Sequence, residues 1–210
     1  MTGFVMFFIS TKRWLTKAIL FAALLAVFVF TETDGQVLQT ERYEYHIGGQ
    51  EKEFDVIPAG FSGLYLQRYL FGPKGDQIQI IKLDTAFKET WSGFLSVEKN
   101  YMIMGRKAFE GKLFLLLRYK SYTKNNLLLY SVNDRDGTYV LHTIRGFIPM
   151  APSEFEMGDS SVIIGGYYNR VPVVLHYSFR TLRSKVLPGL FNESGELNQI
   201  RMHVCPAPQN

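Results

Sequence analysis

KLFLLLRYKSYTKNNLLLYSV, from Lys112 to Val132, sets two apolar runs on either side of a polar linker that ends in Asn125-Asn126. Leu113 to Leu117 and Leu127 to Leu129 are apolar without a break. A strand with one wet face alternates apolar and polar residues, whereas a strand covered on both faces does not. The stretch therefore reads as two strands buried on both faces. Asn is one of the residues that tolerates the positive φ of a tight turn between them.

The same pattern echoes along the chain. Residues 63–70 read GLYLQRYL, 112–119 read KLFLLLRY and 161–168 read SVIIGGYY, with starts 49 residues apart, twice. The second run behaves alike, with DQIQIIKL at 76–83 and NNLLLYSV at 125–132. Its third copy, PVVLHYSF at 172–179, comes about three residues early, which predicts a shorter hairpin turn at Asn169-Arg170. Upstream of each pair lie KEFDVIPAG (52–60), NYMIMGRKA (100–108) and SEFEMGD (153–159). Downstream lie KETWSGFLSV (88–97), TYVLHTI (138–144) and RSKVLPGLF (183–191). Each unit thus holds four short strands, and no long amphipathic helix competes after residue 35.

Three four-stranded units at a period of about 49 residues resemble the blades of a β-propeller, whose repeats span roughly 40 to 50 residues. The resemblance covers about residues 40–191, divided near 49–99, 100–150 and 151–191. The WD and YWTD motifs are absent, and no kelch double glycine falls in register. The chain most resembles exported bacterial proteins with propeller repeats of unassigned function, and that resemblance maps no catalytic residue onto it. The fold expected is all-β, an incomplete propeller-like array of about three antiparallel blades after an N-terminal signal helix. The competing architecture is a sandwich or barrel of eight to twelve strands. Propellers typically close with four to eight blades. Three therefore suggest either the front of a longer ring, with the irregular tail 192–210 at a cut end, or a ring completed by association.

The first 35 residues read as an address. Lys12, Arg13 and Lys17 precede the unbroken apolar run Ala18 to Phe30. Its 13 residues fit a signal-peptide core and fall short of the ~20 that a membrane span needs. Cleavage after Gly35 is expected, with an uncleaved membrane anchor as the alternative. The location expected is the periplasm, the cell surface or the exterior.

Composition excludes more than it assigns. Hydrophobic residues make up 47% and charged residues 20%, ordinary for a globular protein. From Gln36 onward 20 basic and 17 acidic residues leave +3, too mild and too scattered along the chain to argue for nucleic acid. Cys205 is alone and forms no internal disulfide. The four histidines, His46, His142, His176 and His203, make no zinc-ligand spacing.

Asn133-Asp134-Arg135-Asp136-Gly137 brushes against a calcium loop, but Val132 and Thr143 stand where its first and last ligands belong, so a hairpin turn is expected. Trp91 reads as packing between sheets rather than a sugar platform. Gly165-Gly166 inside a strand pattern reads as a bulge or a close approach. First strands line the channel of a propeller, which makes Asp55, Arg106, Lys107, Glu154 and Glu156 the positional candidates for ligand binding. Glu154 and Glu156 share one strand face. No catalytic residue, metal or cofactor is assigned.

The function expected is a non-catalytic binding or scaffold module forming part of a larger propeller. A fragment of a secreted propeller hydrolase or lyase acting on polysaccharide is the alternative, as is a truncated product without function. The partners expected are another protein or a second copy covering open blade faces. Nucleic acid is not expected, and a membrane only through an uncleaved N-terminal segment.

Overall fold

A computed structural model describes residues 42–46, 48, 53–121, 124–146, 148–187 and 200–201. The address segment, and the tail apart from Ile200 and Arg201, lie outside the described residues. The described strands all belong to the unit Glu41–Asn210.

Among the described residues twelve strands follow one another, with one turn of 3-10 helix, Gly60–Ser62, between the first two. They are β1 (Asp55–Pro58), β2 (Leu64–Leu70), β3 (Asp76–Leu83), β4 (Glu89–Val97), β5 (Tyr101–Phe109), β6 (Lys112–Tyr119), β7 (Leu127–Asn133), β8 (Tyr139–Ile144), β9 (Ala151–Gly158), β10 (Ser161–Tyr168), β11 (Val171–Ser178) and β12 (Arg183–Val186). They form three separate four-stranded antiparallel sheets: β1-β2-β3-β4, β5-β6-β7-β8 and β9-β10-β11-β12. Each sheet is a simple meander, so every hairpin partner is also a sequence neighbour. Neither a two-sheet sandwich nor a single closed barrel has this order.

Turn chemistry sets several of the connections. Asn169 and Arg170 have φ of 49° and 69° and join β10 to β11 in two residues. Positive φ at both central positions is the geometry whose twist matches that of the flanking strands. Glu110 and Gly111, at 46° and 69°, make the equivalent turn from β5 to β6. A register shift falls between Gly165 and Gly166, where β10 pairs with β9.

The quoted hairpin, β6 and β7, is buried on both faces because its sheet lies between the other two. Leu113, Leu115, Leu117, Leu128, Tyr130 and Val132 pack against Tyr65, Ile78, Ile80 and Leu95 of the first sheet. Phe114, Leu116, Leu127 and Leu129 point the other way, against Phe155, Val162, Ile164, Leu175 and Tyr177 of the third. Alternate residues of one strand thus feed two different cores. The far face of the first sheet carries Arg68, whose Nε donates to Gln79 Oε1 at 2.7 Å and whose guanidinium lies 4.7 Å from the centre of the Phe54 ring. Among the described residues no helix is long and apolar enough to cross a membrane.

Candidate functional site

The first strands of the three sheets are neighbours: β1 meets β5, and β5 meets β9. Arg106 and Lys107 are adjacent on β5 and leave it on opposite faces. Arg106 reaches the first sheet, where Nη2 donates to Asp55 Oδ2 at 2.6 Å and Nε donates to Gln67 Oε1 at 2.6 Å. Lys107 reaches the third sheet and forms an ion pair with Glu156. Glu154 shares a β9 face with Glu156, and its Oε2 accepts the Ile200 backbone N–H at 3.0 Å. Four of the five positional candidates are therefore brought together in two cross-sheet pairs. The fifth is held by the backbone of the tail.

Gln67 was not singled out in the sequence. Its side chain is fully buried, and among the described residues its Nε2 meets no acceptor. Its amide oxygen is the acceptor that holds Arg106 Nε against the first sheet. A Gln inside an apolar strand pattern is the signal that could have found it.

The turn weighed as a calcium loop does other work. Asp134 Oδ1 lies 3.2 Å from Lys82 Nζ and accepts the Tyr65 hydroxyl at 2.8 Å, and the Asp134 carbonyl accepts Trp91 Nε1 at 2.7 Å. Lys82 is only 2% exposed, so its charge is compensated inside the protein. Burial, and then the Asp134 carboxylate, push the Tyr65 hydroxyl well above the usual phenol range. Asp136 accepts the Thr138 hydroxyl at 2.7 Å, which together with the Thr138 amide holds its carboxyl below the usual range. Trp91 packs on this turn and on Tyr65, between the first and second sheets. Among the described residues no group of three His, Cys, Asp or Glu side chains is placed to hold a metal.

A concavity lies between the second and third sheets. A cavity of about 290 Å³ is walled by Phe109, Phe114 and Phe179, with His142, Lys112 and Asp159 among its polar groups. It shares Val140 and His142 with an open groove of about 860 Å³ that runs between β8 and β12. β8 and β12 are edge strands, and the Ser184 hydroxyl ties them by donating to the Arg145 carbonyl at 2.6 Å. His142 sits 5.0 Å from the Phe179 ring and 6.0 Å from Tyr177. Burial, and then the Lys112 ammonium, hold its imidazole below the ordinary histidine value. The lining residues are spread from 109 to 184, so no local motif announced the site.

No protein-family model, curated protein or solved structure matches this chain.

Proposed function

We propose that the chain is a non-catalytic binding or scaffold module of exported location, built from propeller-like blades that belong to a larger ring or assembly. The observation that carries this reading is the pairing of the first-strand charges. Asp55 with Arg106, and Lys107 with Glu156, tie adjacent sheets to one another. Carboxylates committed to such ties are poor general acids or bases, because that work needs a group free to exchange its proton with a substrate. The contacts of β1 with β5 and of β5 with β9 support the blade reading, since they bring first strand to first strand as a central axis requires. The enzyme alternative has no comparable observation in its favour.

Charge reversal tests the reading. Arg106→Asp places two carboxylates together and lowers stability by about 1 kcal/mol, since the pair is partly exposed. Adding Asp55→Arg restores most of that loss, as does Glu156→Lys added to Lys107→Glu. Doubles as unstable as the singles, by thermal melting, would remove the tie and with it the scaffold reading. Location is tested separately by the first residue of protein recovered outside the cytoplasm, which is Gln36 if the address is cleaved.

A further inference from the structure

The meander sorts the connections between strands onto two ends. The β2–β3, β4–β5, β6–β7, β8–β9 and β10–β11 connections share one end, and the other six share the opposite end. Contacts join the first group into one surface. Lys99 Nζ donates to the Pro73 carbonyl at 2.7 Å, and the Lys120 amide donates to the Asn100 carbonyl at 2.7 Å. Lys124 pairs with Glu98, Gly146 lies against the Asn125 carbonyl, and Pro149 shares a hollow with Asn169 and Arg170.

Charge divides between the ends in the same way. The described residues of the first group hold Lys74, Lys99, Lys120, Lys124, Arg145 and Arg170, all exposed, against the single acid Glu98. The opposite group holds five acids (Asp84, Glu110, Asp134, Asp136 and Asp159) against three bases. Counted over these loop residues, a net +5 faces a net −2 across the length of the strands, with Asp134 of the latter already paired to Lys82. A chain with scattered charge becomes polar along one axis only because alternate turns fall on the same end.

We propose that the basic end is a docking surface for a linear acidic polysaccharide. Six exposed cations on loops from all three sheets complement a carboxylate-bearing polymer. Stacked sheets lie about 10 Å apart, so the cations extend over roughly 20 Å, more than a single small anion spans. Two aromatic faces here are taken by the chain's own amines, with Lys120 5.5 Å from the Phe71 ring and Lys124 4.7 Å from Tyr119. Nucleobases need free faces to stack on, so single-stranded nucleic acid is the poorer fit. Phe71 is the only large apolar side chain among the described loop residues of this end exposed by more than a third, at 58%, too little to bury in a bilayer. The proposal deepens the module reading and rests on it for placing the chain outside the cell.

The test titrates the full-length chain with polygalacturonate, with neutral dextran as the blank. One variant carries Lys74→Glu, Arg145→Glu and Arg170→Glu; its control carries Lys88→Glu, Arg135→Glu and Arg180→Glu at the opposite end. Both change net charge equally. An eight-residue strand is about 26 Å long, beyond the ~10 Å screening length at 0.1 M salt. The first variant should bind at least about tenfold more weakly with a shallower salt dependence, and the control within about twofold of the unaltered chain. Equal loss in both variants, binding to dextran, or no binding to polygalacturonate overturns the site. Tighter binding to phosphatidylglycerol vesicles or to single-stranded DNA overturns the choice of polymer. Failure here with the charge-reversal doubles still rescued sinks this surface and leaves the scaffold standing.

Discussion

Gly166 shows how a single missing methyl group sets a register. A Cβ there would lie 2.2 Å from the Ala151 carbonyl oxygen and 2.8 Å from Pro152 Cα, both backbone atoms of β9. Backbone cannot swing aside as a side chain does, so Gly166→Ala should cost about 2 kcal/mol or more by denaturant melting. Gly137 is required twice over. Its φ is +70°, and a Cβ would lie 2.8 Å from the Trp91 ring. His142 gives a prediction in pH. Its proton affinity is lowered in the folded chain, so between the folded and unfolded values the unfolded chain binds more protons and stability rises with pH. The stability is present above about pH 6.5, the unfolded value, and is lost as pH falls through the folded one. Comparing Tm with that of His142→Phe should show the unaltered chain losing more between about pH 7.5 and about pH 5.5. Parallel curves would remove His142 as a source of acid sensitivity.

At the scale of the element, each strand of the middle sheet serves two neighbours. β5 sends Arg106 one way and Lys107 the other, and β6 does the same with Leu115 and Leu116. The β7–β8 turn is anchored to the first sheet by a compensated buried amine. Removing one partner strands the other, so Lys82→Met should lose about 3 kcal/mol. The double replacement with Asp134→Leu should lose less, because it leaves no charge behind. A double variant less stable than Lys82→Met, by denaturant titration, would show that the pair contributes more than its own desolvation.

At the scale of the whole molecule, the stack has one inner sheet and two outer ones. Leu115→Ala and Leu116→Ala each open a cavity in a different core and should each cost about 2–5 kcal/mol, whereas exposed Leu141→Ala should stay within about 0.5 kcal/mol. Hydrogen exchange should be slowest in β6 and β7 and fastest in the short strands β1 and β12. Uniform exchange across the twelve strands would contradict a stack organised around its middle sheet. The polarity of the two ends belongs to this scale too, since no single strand or hairpin carries it.

The strands were legible in the sequence because their causes are local. Unbroken leucines in 113–117 and 127–129 require cover on both faces, and Asn169-Arg170 permits a two-residue turn. Glycines in a strand pattern marked the irregular pairing at Gly165/Gly166. Position on a first strand was enough to name Asp55, Arg106, Lys107, Glu154 and Glu156, but not to say which of them meet. That depends on which face of β5 turns to which sheet, and the faces are assigned only when the sheets stack. Gln67 beside Arg106, Asp134 against Lys82, the aromatic cavity at His142 and the gathering of six cations at one end all join residues distant in the chain. Periodicity along a chain reports how much of a strand is covered. What covers it, and which charges then lie together, is decided by packing between sheets.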